Sequence, residues 1–477
     1  MANYDEDSSL SNATKPHITD VRREPASFRD DRGFVFWQGN NVRRQINPSG
    51  QESYDRLMSS GLYSELVSRG WLLEHQELSD LADGAYKVIA PQPLQFVSYP
   101  YEWAFSQLKD AALLTLEIQQ LALEHNMTLR DASAYNIQLQ AGRLVFIDTL
   151  SFDIYQVGQP WQAYRQFCQH FLAPLALASY QHPDMSQLLR LYIDGLPLDL
   201  TVKLLPFKAR WQPGLFTHLS LQAKYQRRYQ SRPQTPARVS STAMLALLDS
   251  LRRTITRLTP PISATAWGNY YDGTNYSKAA FAAKGRLISA YIMKQDYQRV
   301  LDLGSNNGHF SRLIMSTGRL VLSADVDPVA VEQNYQAMRQ ASETGLQPLL
   351  VDLTNPSPAT GWANQERAGF NQRVRADAVV ALALVHHLAI GNNVPLGQIA
   401  GYFASLAPNL IIEFVPKTDS QVKRLLATRD DIFSNYHQAG FEAAFGQFYQ
   451  VVDCQPVPNS KRILYLMKRL EHEPTTP

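Results

Sequence analysis

The stretch VLDLGSNNGHFS, Val300 to Ser311, puts Asp302 near the end of a short apolar run and follows it with a glycine turn, Gly304, Ser305, Asn306, Asn307 and Gly308. Strand, glycine turn and helix, in that order, let a backbone close around a nucleotide-type ligand. Gly304 permits the tight turn, and Gly308 lets the chain lie close to a ligand without an intervening side chain. Asparagine tolerates left-handed backbone angles better than most residues, so Asn306 and Asn307 weaken the pattern without disabling it. Asp325 lies 325 − 304 = 21 positions beyond Gly304 and closes a second apolar run, RLVLSAD. A carboxylate at that spacing is placed to accept hydrogen bonds from both hydroxyls of a ribose. Asp352, near the end of LQPLLVDLT, could reach an adenine amino group. His386, His387 and Glu413 end two further apolar runs, where a second reactant would meet the ligand, and are candidates for proton transfer.

Holding these residues on one rim takes a parallel sheet. After Pro260-Pro261 the apolar runs alternate with helical spacings, as strands joined by crossover helices do. DPVAVEQNYQAMRQ reads as one such helix. The fourth strand, ADAVVALALVHHL, is expected to run from Ala376 toward His386 and His387, which would turn the two imidazoles to opposite faces. The fifth is NLIIEFVP, with Glu413, and FYQVVDCQPV followed by KRILYLMKR reads as a terminal hairpin.

From Trp267 to Leu470 this arrangement resembles the class I S-adenosylmethionine-dependent methyltransferases. The resemblance implies a doubly wound, seven-stranded Rossmann-like α/β sheet with its last strand antiparallel. It makes Asp302 through Gly308 the first cofactor motif, with Asn306 departing from the usual glycine, Asp325 the ribose acid and Asp352 the adenine-side acid. Val326 and Leu353 join them as cofactor-binding neighbours. Dehydrogenases that bind NAD use a related loop but want glycine at three positions, and here only Gly304 and Gly308 flank two asparagines. A relic of the fold without cofactor is the other alternative. LVHHLAIGNNVPL and IEFVPKTDSQVKRLL further resemble a bacterial subgroup, the nodulation-protein-like methyltransferases. Methyl transfer from a sulfonium releases a neutral thioether, so alignment is the main task and a base is needed only if the acceptor must lose a proton. His387 and Glu413 are the candidates, His387 also reading as a residue of shape or hydrogen bonding. The segment Ala266 to Ile288, dense in Tyr, Asn and Lys, reads either as packing or as a cap over the cofactor.

A second constellation lies upstream, in LRDASAYNIQLQAGRLVFIDTLSF, Leu129 to Phe152. Asp131 and Asn136 are 136 − 131 = 5 positions apart, and Asp148 follows the apolar run LVFID. The stretch resembles the catalytic and metal-binding segments of protein-kinase-like folds, which implies an α+β domain with Asp131 orienting a hydroxyl and Asn136 and Asp148 holding magnesium against ATP. Departures are plain: Leu129 replaces the usual histidine, Thr149-Leu150 the usual Phe-Gly, and a glycine-rich phosphate loop is missing. Lys87 lies close to the hinge-like FVSYPYEW, so Arg43 or Arg44 would have to serve in place of the usual third-strand lysine. The plainer reading is that Asp131 and Asp148 tie their own loops. Upstream, GFVFWQGNNVRRQI reads as a hairpin, WLLEHQEL, AYKVIA and LQFVSY as strands, and Glu102 to His125 as a long buried helix.

The chain of 477 residues is too long for one ordinary core. The expected division is a disordered tail over 1–32, a kinase-like domain over 33–225, a basic linker and helix over 226–262, and the methyltransferase domain over 263–477. A hydrophobic content of 45%, a charged content of 18% and a formal charge of +2 describe a globular protein with no global bias toward nucleic acid. The basic residues from Lys203 to Arg257 read as a solvated face or as a local site for an anionic substrate or nucleic acid. Two distant cysteines, Cys168 and Cys454, suggest neither a disulfide framework nor a zinc site, and fit a reducing cytoplasm. No secretory signal and no membrane span are expected. The expected partner is a small-molecule acceptor, a glycan or secondary-metabolite intermediate, with the kinase-like domain binding or presenting it. A protein or RNA acceptor, a bifunctional kinase and methyltransferase acting on a saccharide, and a ligand-binding scaffold without turnover stay open, as does the oligomeric state.

Overall fold

The computed structural model describes residues 21–79, 84–229, 238–260 and 278–471. Two compact units emerge, Met1–Glu52 with Glu74–Pro93, and Ser53–Leu73 with Leu94–Pro477. The division falls within the expected kinase-like domain, while residues 94–260 fold with the C-terminal sheet.

In the first unit, β1 (Val21–Arg23), β2 (Gly33–Gln38), β3 (Asn41–Ile46), β4 (His75–Leu78) and β5 (Lys87–Pro91) form an antiparallel sheet in the spatial order β1-β2-β3-β5-β4. The expected hairpin turns at Gly39, φ +59°, with Gln38 opposite Asn41. Residues 21–32 correct the expected tail. Val21–Arg23 pairs with Phe36–Gln38, and Trp37 Nε1 donates to Glu24 Oε2 at 2.7 Å. Residues 1–20 lie outside the described part. LQFVSY forms no strand.

In the second unit the helix Phe105–Glu124 is buried, and its core residues Leu108, Ala111, Ile118 and Leu121 recur at helical spacing. β6 (Met127–Leu129) pairs with β9 (Phe152–Ile154), and β7 (Ile137–Gln140) with β8 (Arg143–Phe146). Short helices follow. Within the expected basic linker, the described residues include the helix Ser241–Arg257, capped by Ser240 Oγ accepting from the Ala243 N–H and packed on Phe105–Glu124.

The C-terminal sheet contains β10 (Arg299–Leu303), β11 (Leu320–Asp325), β12 (Leu346–Leu350), β13 (Ala378–Ala381), β14 (Asn409–Phe414), β15 (Tyr449–Pro456) and β16 (Ile463–Arg469). Their spatial order is β12-β11-β10-β13-β14-β16-β15; the first five are parallel, the last strand in the sequence, β16, runs antiparallel to them, and β15 pairs antiparallel with β16 at the edge. Alternation explains why both faces are covered. Leu301 and Leu303 join Leu322, Val379 and Ile412 in one core, while Val300 joins Val321, Val380 and Ile411 in the other. Strand β13 is shorter than expected. Its ladder stops at Ala381, and Ala383 takes φ +51°, which a strand cannot continue through.

The sheet and the helical half are knitted by buried polar contacts. Glu102, with no exposed surface, accepts from Arg373 Nη1 at 3.1 Å, from Arg373 Nη2, from Ser357 Oγ at 2.9 Å and from its own turn at the Tyr99 N–H. Asp110 accepts from Tyr335 Oη at 3.0 Å and pairs with Arg339 at 2.8 Å.

Candidate active site

The parallel strands β10, β11, β12 and β13 deliver their C-terminal ends to one rim. A cavity of about 300 Å³ opens there. Its walls include Asp302, Gly304, Ser305, Asn306, Asp325, Val326, Asp352, Leu353 and His387. Ligands of open α/β sheets bind on this rim, where the strand order reverses, here between β10 and β13.

The loop after β10 is held by its neighbour. The Gly304 and Ser305 N–H groups donate to the Ala324 carbonyl at 2.9 and 3.1 Å, and Asn306 N–H donates to Asp325 Oδ2 at 2.7 Å. Gly304, Asn306 and Gly308 take φ of +71°, +51° and +79°. Asparagine at 306 therefore occupies the left-handed region that glycine usually fills. A Cβ on Gly304 would come within 3.1 Å of Leu384. Asn307 and Gly308 support the loop from outside the cavity wall: the Asn307 carbonyl accepts from Arg312 Nη1, and Gly308 precedes the helix His309–Met315.

The three acids differ in their surroundings. Burial pushes the Asp302 carboxyl up to about 6, against a hydrogen bond from Ser311 Oγ at 2.6 Å. Burial likewise raises Asp325 to about 6, against backbone N–H groups of Asp327 and Asn306. Asp352 follows β12 and closes its own turn, Oδ1 accepting from Thr354 N–H at 2.8 Å and Thr354 Oγ1 at 2.7 Å.

His387 and Glu413 part company. Because β13 ends early, His386 and His387 begin a turn instead of ending a strand, with ring centroids 4.1 Å apart. The Asn392 N–H reaches the His387 carbonyl, an i to i+5 closure that often marks functional sites. His387 faces the cavity, and burial, aided by Arg462, lowers its imidazole to about 4. His386 is fully buried and does not line the cavity. Glu413 corrects the expectation of a rim acid. It has no exposed surface, and its Oε2 accepts from Lys284 Nζ at 2.7 Å.

Lys284 and Phe281 are among the wall residues that spacing did not single out. They lie on the helix Lys278–Met293, inside the segment expected to be packing or a cap; residues 266–277 of that segment lie outside the described part.

In the other constellation, Asp131 is raised by burial and by Asp148, against hydrogen bonds that include one from the Asn136 side chain. Its Oδ1 accepts from the Ser133 N–H. Asp148 accepts from Leu150 N–H at 3.1 Å and Ser151 Oγ at 2.6 Å, and Asn136 Nδ2 donates to Ser151 Oγ at 3.2 Å. The three residues meet, Asn136 and Asp148 tied through Ser151 and Asp131 reached by the Asn136 side chain. Lys87 pairs with Glu77 within the first unit. Among the described residues, no group of three His, Cys, Asp or Glu is placed to hold a metal ion, and no helix is long and apolar enough to cross a membrane.

No family model matches the chain. Nodulation protein NoeA of Rhizobium meliloti (strain 1021) is 36% identical over 465 residues, covering 94% of this chain and 96% of that protein. Magnesium protoporphyrin IX methyltransferase (ChlM) from Synechocystis PCC 6803, with bound SAH, is similar at 16% identity and TM-score 0.32, over 43% of this chain and 92% of its own. The bifunctional kinase-methyltransferase WbdD is similar at 15% identity and TM-score 0.30, over 45% of each chain. At these TM-scores neither likeness bears on function, and the fold rests on the strand order itself.

Proposed function

The chain belongs to the family of nodulation protein NoeA, and we propose that it is an S-adenosylmethionine-dependent methyltransferase acting on a small-molecule acceptor, a glycan or secondary-metabolite intermediate. The observation that carries this reading is the cavity on the switch-point rim, where Asp302, Asp325 and Asp352 stand around a loop held open by Gly304 and Asn306. The donor set fits the cofactor. Ser305 Oγ is buried on the cavity wall with no hydrogen-bond partner, as a group awaiting a polar ligand would be. Two asparagines within the loop favour this cofactor over a dinucleotide, whose pyrophosphate needs closer backbone approach.

S-adenosylmethionine supplies an electrophilic methyl on a sulfonium that leaves as a neutral thioether. The chain supplies recognition and alignment. Asp325 takes the ribose hydroxyls and Asp352 the adenine side, with Val326 and Leu353 beside them. His387, neutral at physiological pH, can accept a proton from a hydroxyl or amine acceptor through a ring nitrogen. The kinase-like half binds or presents the acceptor.

Thermal unfolding tests this reading. S-adenosylhomocysteine at about a hundred times its dissociation constant should stabilise the protein by about 2.7 kcal/mol, while NAD should leave the transition where it is. Stabilisation by NAD and none by S-adenosylhomocysteine would overturn it.

A second reading, a bifunctional kinase and methyltransferase on one saccharide, draws on the meeting of Asp131, Asn136 and Asp148. Magnesium-dependent ATP turnover that disappears in Asp148→Ala would favour it. ATP turnover absent from the wild type would leave these residues as loop ties.

A further inference from the structure

The charges on the cavity wall are uneven. Three carboxylates line it, and among the described residues Lys284 is the only Lys or Arg that does. His387 cannot supply a second cation near neutral pH, because burial keeps its imidazole uncharged. Lys284 is also fixed. Its side chain is 2% exposed, Nζ is 2.7 Å from Glu413 Oε2, and it lies 4.8 Å from the centre of the Phe310 ring. Glu413 is itself 3.9 Å from Arg462, which Asp419 holds at 2.8 Å. Two cations and two anions thus form a buried, balanced group behind the wall.

We propose that Lys284 is the residue that recognises the carboxylate at the amino-acid end of the cofactor, with Glu413 as the positioning residue that anchors its ammonium at the cavity wall. The inference rests on the methyltransferase reading and deepens it. S-adenosylmethionine carries a carboxylate that three wall acids would repel, and Lys284 is the place on this wall where that charge is met. An ammonium has three N–H donors, so it can hold Glu413 and a ligand oxygen together. Lys284 stands on the Asp302 side of the cavity, close enough for each charge to act on the other. That leaves the ribose acid, Asp325, and the adenine-side acid, Asp352, for the nucleoside.

The test compares two ligands by calorimetry: S-adenosylhomocysteine, and 5′-methylthioadenosine, which keeps the nucleoside thioether and lacks the amino-acid end. The wild type should prefer S-adenosylhomocysteine by about tenfold or more, the scale of a hydrogen bond to a charged group. Lys284→Gln should lose most of that preference while its affinity for 5′-methylthioadenosine stays the same. Because Lys284→Gln removes the cation nearest Glu413, the double variant Lys284→Gln/Glu413→Gln is measured beside it, and the same loss of preference is expected in whichever folds. A purely structural role would weaken both ligands alike, and that result, or a preference that survives both variants, overturns the proposal. Equal wild-type affinities for the two ligands also overturn it and leave the methyltransferase reading standing. Wild type that binds neither ligand overturns that reading, and the role of Lys284 with it.

Discussion

Asp325 Oδ2 accepts the Asn306 N–H at 2.7 Å, so the acid that ends β11 holds the loop that follows β10. One carboxylate thereby shapes the loop and stands on the cavity wall. Its charge state should govern both tasks.

Burial raises Asp325 and Asp302 to about 6, so both are ionised at pH 7.5 and protonate as the pH falls through 6. Ribose hydroxyls donate to the ionised acid, so binding below that pH requires a proton to leave first. Affinity for S-adenosylhomocysteine should be flat above pH 7 and fall toward pH 5 by about tenfold per pH unit for each proton released. Calorimetric titrations across that range check the sign; affinity that rises on acidification would contradict it.

Gly308→Ala should destabilise the protein by about 1–3 kcal/mol. A Cβ there would sit 2.3 Å from Asn334 Oδ1, at a backbone φ of +79°. Asn334 Nδ2 donates to Ser323 Oγ, which shares a hydrogen bond with Ser311, the partner of Asp302, so displacing Asn334 disturbs the loop's support. Denaturant unfolding measures the loss.

Glu413→Ala leaves Lys284 and Arg462 buried beside an empty space. Removing one partner of a buried ion pair costs about 3–5 kcal/mol, and a loss of that size is expected in denaturant unfolding. A Glu413→Ala protein as stable as the wild type would contradict the buried pairing of Glu413 with Lys284.

Arg373→Ala should cost about 3–5 kcal/mol by stranding Glu102. Arg373 also donates to the Val97 carbonyl at 2.6 Å and covers the Tyr99 ring, so the loss falls on the junction between the helical half and the sheet. Calorimetry should show the transition broadening or dividing as the two halves lose their common support.

How much was readable depended on whether a signal was local. Gly304, Asn306, Asp325 and Asp352 sit at fixed distances along a repeating strand and helix pattern, and the short apolar run before Gly304 marks a buried strand. Pairing across the sequence is not. Lys284 and Glu413 are 129 positions apart, and an acid at the end of an apolar run looks the same whether it meets solvent or a buried lysine. The run ADAVVALALVHHL reads as one long strand because periodicity cannot report that Ala383 adopts a left-handed angle. Val21–Arg23 escaped notice because an exposed edge strand of three residues has no buried face to pattern.

The most direct test of the cofactor site is the dissociation constant of S-adenosylhomocysteine for the wild type and for Asp325→Ala, measured by calorimetry at pH 7.5. Saturable wild-type binding, weakened at least about tenfold in the variant, is the expected result, since hydrogen bonds to a charged acid contribute roughly 1.5–3 kcal/mol. No binding by a folded wild type, or equal affinity in the two proteins, would contradict the account.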